Sequence, residues 1–309
     1  MTEIRHLPEA PTGRRPLAPG AGIDAHRHDT HQIVYACRGV LSVTTGSGVW
    51  VAPANRAIWV PAGTVHEHRA HGDTDLRLVG LTGNPLGLDR PAVLAVGPLL
   101  RELIIAYTDD HDEDRAEDRG HDGGERARLR AVLLDRLRQA PEQPLHLPTP
   151  TDPRLAAVCA ILHHDPADDR TLARLAARAG TSDRTLARLF RSELGMSFPQ
   201  WRTQLRLHHA LLLLADGTAV TTVAHRCGWA SASAFIDVFR RAFGYTPAGP
   251  LHCRFATMGF REHIERQGRH PGHHGPDQGQ GRLHPPPLRA RRLGPGLRRG
   301  GRGRARRAL

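Results

Sequence analysis

Two stretches decide the reading of this chain: LARLAARAGTSDRTLARLFRSELG (Leu172–Gly195) and VTTVAHRCGWASASAFIDVFRRAFG (Val220–Gly244). In the first, Leu172, Leu175, Ala176 and Ala179 fall on one helical face. After Gly180, Leu186, Leu189, Phe190 and Leu194 recur at the 3-and-4 spacing that buries a helix stripe. The second repeats the scheme with Val220, Val223 and Ala224, a turn at Gly228, then Phe235, Val238, Phe239 and Phe243. Each stretch is a short helix, a Gly-containing turn and a second helix. Phe198–Ala215 joins them as one uninterrupted helix.

Such a unit places its second helix in a DNA major groove, so a tandem pair predicts double-stranded DNA as a partner. In the first unit the reading helix starts after Ser182, a good N-cap. It exposes Arg184, Thr185, Arg188 and Arg191 opposite Leu186, Leu189 and Phe190. Arginine donates two bonds to guanine O6 and N7, which makes Arg184 and Arg188 the candidate base readers. In the second unit Ser231, Ser233 and Asp237 hold the corresponding face, with Arg240 and Arg241 further along, better placed for phosphates. The second helix is apolar and short-sided. The expectation is that the first unit does most of the sequence reading and the second fixes position. Trp201, Leu205, Leu212 and Trp229 read as core.

The formal charge of +12 over 309 residues is unevenly spread. The chain has no Lys; residues 1–153 carry 17 Arg against 21 acids, residues 154–253 carry 12 against 7, and residues 254–309 carry 14 against 3. Most of the excess therefore lies in a tail rich in Arg, Gly, Pro and His, outside the paired units, where low hydrophobicity predicts disorder. The surplus on the paired units is modest and of the right sign for phosphates. Cys37, Cys159, Cys227 and Cys253 are scattered without a CxxC pair, so disulfides are not expected and a reducing cytoplasm fits. The longest aliphatic run, Ala210–Ala215, is far too short to span a bilayer, and no membrane partner is expected.

The expected organisation is α+β. Residues 1–22, rich in Pro, Gly and Arg, read as a disordered arm. Residues 23–90 carry short β runs (Ile33–Cys37, Val40–Thr45, Val49–Val51, Ile58–Val60, Leu76–Leu81) punctuated by Gly and Pro, which predicts a small barrel or sandwich. Residues 91–142 hold two amphipathic helices, at 93–107 and 125–138, around an acidic loop, and read as a dimerisation segment. Residues 143–153, with four prolines, read as a linker. Residues 154–250 form the DNA-binding domain and begin with one more helix at 154–164. Residues 251–309 are the basic tail.

The paired units resemble the AraC/XylS family of bacterial transcription regulators. The second shows the family's order of features: Gly228-Trp229, Ser231 and Ser233, then Phe235, Phe239-Arg240-Arg241, Phe243-Gly244 and Pro247. Past that proline the family continues with an aromatic and an Arg, whereas here Ala248-Gly249-Pro250-Leu251 follow. The resemblance implies a DNA-binding regulator, a small-molecule effector, a homodimer, and RNA polymerase as the partner an activator needs. It implies no enzymatic activity.

The N-terminal half is similar to the cupins. His26-x-His28, Gln32 and Gly39 follow the first cupin motif, and Pro61-x-Gly63-x-x-His66 follows the second. In metal-binding cupins an acid stands where Gln32 stands. Imidazoles from separate strands can meet inside a barrel and bind a divalent metal, so His26, His28, Gln32 and His66 are candidates for effector or metal binding. His31 and His68 are neighbours able to substitute. The spacing leaves a ligand-lining role and a metal-binding role both open, and Tyr35, Trp50 and Trp59 divide between pocket and core. A metal-dependent cupin enzyme fused to a DNA-binding module is the alternative, weakened by the missing acid. A constitutive DNA-binding protein whose barrel only dimerises is a third.

Overall fold

The computed structural model describes residues 4–109, 123–143 and 145–247. They lie within one compact unit, Met1–Ala256. The chain is α+β, as expected: a β-sandwich barrel, a helical pair on its flank and an all-helical C-terminal half. Among the described residues no helix is long and apolar enough to cross a membrane.

Two long strands, β4 (His31–Thr45) and β7 (His66–Leu81), form the spine of the barrel and pair antiparallel along most of their length. The expected short runs on either side of Gly39 are thus one bent strand. Its register shifts between Ala36 and Val40, where Gly39 has φ +82° and a Cβ would meet Thr74 Oγ1 at 2.5 Å. Only glycine fits that corner. The first half of β4 pairs with β6 (Arg56–Val60), and its second half with β5 (Gly48–Pro53). The two halves of each spine strand therefore serve two packed layers. Apolar side chains of the lumen (Val34, Leu41, Val43, Ile58, Leu76, Leu78) fill the space between them.

The arm is not disordered. β1 (Arg5–Leu7) pairs parallel with β3 (Gly22–His28), and β2 (Gly13–Leu17) pairs antiparallel with β7, burying Leu17. Pro16 is tolerated because β2 is an edge strand. Arg14 pairs there with Asp75 at 2.9 Å. Nor is 143–153 a free linker: β9 (Glu142–Gln143) pairs with β8 (Ala92–Ala95), and β10 (His146–Pro148) pairs with β5. A proline's extended φ suits an edge strand as well as a tether. Such composition therefore could not separate the two.

The helix expected at 93–107 starts late, because Ala92–Ala95 completes the sheet beside β6. α1 is Pro98–Asp109, with proline at its start, and α2 is Gly123–Gln139. They cover the outer face of the sheet, burying Tyr35, Trp59, Ile104 and Leu137 in one cluster. Buried Arg77 anchors α1 through Thr108 and Asp109 while also holding Asp75. The acidic loop between the helices lies outside the described residues except at its ends.

The C-terminal half follows the expected pattern. α3 (Pro153–His164) leads into α4 (Leu172–Arg178) and α5 (Asp183–Leu194), then α6 (Phe198–Ala215), α7 (Val220–Arg226) and α8 (Ala232–Phe243). Trp201, Leu205, Leu186 and Phe190 are buried in the first unit's core, whereas Leu212 and Trp229 are only half-buried. The second unit's core of Phe235, Phe239 and Phe243 is continuous with Val40 and Val51 of the barrel. α6 packs on β4, β7 and β10. Gly72 (φ +67°) allows this, since a Cβ there would meet the Ala215 carbonyl at 2.6 Å. The basic tail, 251–309, lies outside the described residues.

Candidate functional sites: a histidine cluster in the barrel and two reading helices

Successive residues of a strand face opposite ways, so His26 and His28 share one face of β3, and His66 and His68 share one face of β7. The two strands are neighbours, with His26 opposite His66 and Ile23 opposite His68. Pairing therefore gathers four imidazoles. Ring centroids lie 4.3 Å apart for His26–His66, 5.0 Å for His66–His68, 5.5 Å for His26–His68 and 5.0 Å for His28–His66. All four residues are buried. His26, His66 and His68 each offer a ring nitrogen within 4.8 Å of the others.

The hydrogen bonds orient the rings. His26 Nδ1 donates to the Asp24 carbonyl and His66 Nδ1 to the Thr64 carbonyl, each at 2.8 Å, and His28 Nδ1 donates to the Thr30 carbonyl. A proton fixed on Nδ1 leaves Nε2 a lone pair, the arrangement of a metal-ligating imidazole held by an outer shell. Nε2 of His28 and of His66, both nitrogens of His68, and Gln32 Oε1 are buried without a hydrogen-bond partner. Burial pushes the His66 pKa down to about 4 and His68 well below its ordinary value, and it lowers His28. Burial thus favours the neutral form of His28, His66 and His68, the form in which an imidazole ligates a metal. This donor set fits a divalent ion better than it fits an empty core, because each orphaned nitrogen otherwise costs about 1–3 kcal/mol.

The sequence-predicted set is only partly gathered. His26 and His66 meet, His28 flanks them, and Gln32 stands beside His28 with its Nε2 donating to the Pro11 carbonyl at 3.2 Å. His68 completes the tight group. The cupin-like motif stops at His66, but the two-residue strand period already carries His68 to the same face. His31 is elsewhere: it accepts from the Ala62 amide and stacks on Trp59 at 5.0 Å. Tyr35 and Trp59 belong to the outer core, and Trp50 stacks on His146, so none of the three lines the pocket. A cavity of about 550 Å³ opens over the cluster, with His26, His68 and Gln32 among its walls.

In the helical half, α5 starts on Ser182, whose side chain accepts from the Thr185 amide. It ends on Gly195 in the left-handed conformation. Arg184, Arg188 and Arg191 are exposed, and none pairs with an acid among the described residues. Thr185 Oγ1 bonds Ser182 Oγ at 2.9 Å and so belongs to the cap. α8 starts on Ser231, which accepts from the Ala234 amide, and exposes Ser233, Asp237, Arg240 and Arg241. Asp237 pairs with Arg240 at 3.3 Å, which leaves Arg241 the freer cation of that helix. The C-terminal end of α8 is held by the barrel: Asn55 Nδ2 donates to the Phe243 carbonyl at 2.7 Å and Arg56 Nη2 to the Ala242 carbonyl at 3.3 Å.

A helix-turn-helix domain family matches residues 175–249, and a cupin domain family matches residues 14–82. The HTH-type transcriptional regulator NimR of Escherichia coli K12 is 34% identical over 236 residues, which span 75% of this chain and 83% of NimR. The chain belongs to the AraC-type helix-turn-helix transcriptional regulators with a cupin-like N-terminal domain. The HTH-type transcriptional regulator RipA of Corynebacterium glutamicum is 38% identical over 101 residues, covering 33% of this chain and 30% of RipA. Among solved structures, the DNA-binding domain of AdpA in complex with a target DNA is 39% identical. It covers 32% of this chain and 88% of that one, with a TM-score of 0.29. The cupin match begins at residue 14, within β2. β2 thus falls almost wholly within the cupin match, and β1 adds to the same sheet by pairing with β3.

Proposed function

We propose that this AraC-type regulator is controlled by a small-molecule effector taken up in the barrel beside a divalent metal. We further propose that it reads DNA chiefly through α5. The observation that carries the DNA assignment is the unpaired, exposed Arg184 and Arg188 on a helix whose other face is sealed in the core. Arg184 and Arg188 meet base edges, and Arg191, Arg240 and Arg241 meet phosphates. Thr185 positions the start of α5. Ser231, Ser233 and Asp237 make the short-sided contacts of α8. His26, His66 and His68 hold the metal, with His28 and Gln32 beside it; a bound ion would supply Lewis acidity and a fixed positive charge to the cavity. The protein acts in the cytoplasm as a homodimer and an activator that engages RNA polymerase, and it has no catalytic role.

A ligand shifts activity only through its differential affinity for two states. Both segments that composition marked as mobile, the arm and the linker, are stapled into the sheet. The route from barrel to DNA therefore runs through packed contacts: α6 on β4, β7 and β10, and the Asn55 and Arg56 bonds to α8. Binding-site selection with purified full chain, with and without Arg188→Ala, tests the reading. The substitution is expected to cost about 1–3 kcal/mol in specific affinity and to relax preference at one base pair. An unchanged selected sequence overturns the assignment of α5. Metal analysis of the same protein tests the cluster, and a His66→Ala, His68→Ala chain that still retains stoichiometric metal overturns that part.

A further inference from the structure

The histidine cluster lacks negative charge. Three imidazole ligands bring no negative charge to a divalent ion, and the position where metal-binding cupins carry an acid is Gln32, a neutral isostere. Gln32 is fully buried, and its Oε1 has no hydrogen-bond partner. The acids on the cavity wall, Glu9 and Asp24, are both exposed, and Asp24 serves the cluster through its backbone carbonyl. Arg5 and Arg15 stand at the same rim, and neither pairs with an acid among the described residues. A buried charge is tolerated only when compensated. A hydroxide from bound water could supply part of the compensation, and the cavity leaves room for an anionic ligand to supply it instead.

The remaining walls narrow the ligand further. Leu7, Pro11, Ile23 and Leu78 supply aliphatic surface, and the lining has no Phe, Tyr or Trp. The cavity of about 550 Å³ falls in the ~300–1,000 Å³ range of small-molecule pockets. Oxygen donors with negative charge suit first-row divalent ions with open positions.

We propose that the cavity takes a small organic carboxylate, whose anionic head completes the shell of the ion held by His26, His66 and His68. Its body lies against the aliphatic wall and its outer end meets the charged rim at Arg15. This rests on the reading of the cluster as a metal site. It adds the chemical class of the effector: an acid rather than a neutral or cationic molecule. Gln32 is then the residue that leaves the ion to the ligand, because a glutamate there would offset one of the ion's two charges from within and weaken the demand for an anionic ligand.

The full chain loaded with Co²⁺ gives a visible absorption band that reports coordination, with glycolate, malonate and benzoate as probes and their amides as matched neutral controls. Carboxylates are expected to change the band and to bind at least about tenfold tighter than the amides, a difference of about 1.4 kcal/mol. Gln32→Glu is expected to keep Co²⁺ and to lose at least about tenfold in carboxylate affinity. Arg15→Gln, at an exposed position, is expected to weaken malonate, whose second carboxylate reaches the rim, more than benzoate, whose outer end is uncharged. If the chain holds Co²⁺ but carboxylates leave the band unchanged, or amides bind as well as acids, or Gln32→Glu binds acids undiminished, the ligand class is wrong while the metal site stands. If the chain takes up no Co²⁺, the metal reading itself fails.

Discussion

Helices α5 and α8 are both twelve residues long, begin on a serine cap and end on a left-handed glycine; α5 buries a leucine stripe with Phe190 and α8 a stripe of three phenylalanines. They differ in what they expose and in what holds them. α5 presents Arg184 and Arg188 without acid partners among the described residues, while α8 presents Ser233, Arg240 engaged by Asp237, and Arg241 near its C-terminal end. The core of α5 is built within the helical half together with Leu147, and the core of α8 is shared with Val40 and Val51 of the barrel. Equal scaffolds thus carry unequal work. One helix exposes two arginines without acid partners among the described residues, and the other is held at its end by the barrel.

The largest effect expected from this contrast is on stability. Phe190→Ala and Phe239→Ala should each cost about 3–5 kcal/mol, the usual loss for a buried phenylalanine. Only Phe239→Ala should also loosen the barrel, seen as earlier amide exchange in β4 and β5. Equal exchange in the two variants would mean that the cores are not partitioned as described. Next in size is DNA reading: Arg188→Ala should cost about 1–3 kcal/mol of specific affinity, whereas Ser233→Ala should change it by less than about 1 kcal/mol. Anisotropy titrations on one operator would measure both, and a reversal of the order would sink the division of labour.

A smaller effect is expected at the clamp. Asn55→Ala removes one hydrogen bond to the end of α8, worth about 0.5–1.5 kcal/mol. It should change how far a barrel ligand alters DNA affinity without changing the bases selected by α5. Altered base selection in this variant would contradict that separation. The smallest effect is a pH dependence in α6, which lies between the two units. Burial lowers His208 to about 3 and His209 to about 4. The unfolded chain, with ordinary imidazoles near 6.5, binds these protons first. Their contribution is complete above pH 6.5 and fades as pH falls toward 4 and 3. The unfolding midpoint of the metal-free protein should drop between pH 7 and pH 5, less steeply in a His208→Gln, His209→Gln variant. An identical slope in the variant would remove α6 from the account.

Much of this was legible in the chain. The 3-and-4 spacing of Leu186, Leu189 and Phe190, and of Phe235, Phe239 and Phe243, determined both reading helices nearly to the residue, because helix burial follows local periodicity. Ser182, Ser231, Gly195 and Gly244 set their ends for equally local reasons. Gly39 marked a break, but not that the strand continues beyond it in a second layer.

Tertiary structure alone decided the rest. Pro and Arg in residues 5–17 and four prolines near 148 look the same in a tether and in an edge strand, and only pairing with β7 and β5 distinguishes them. The sequence placed His26 and His28 on one face, and His66 and His68 on another. That these faces meet depends on β3 lying beside β7 with His26 opposite His66, a contact between residues far apart in the chain. Likewise, nothing in the text of α8 announces Asn55 and Arg56 at its end. Local order follows from spacing along the chain, whereas the histidine cluster and the contact between the barrel and α8 come from the register and packing of distant segments, which a one-dimensional pattern does not carry.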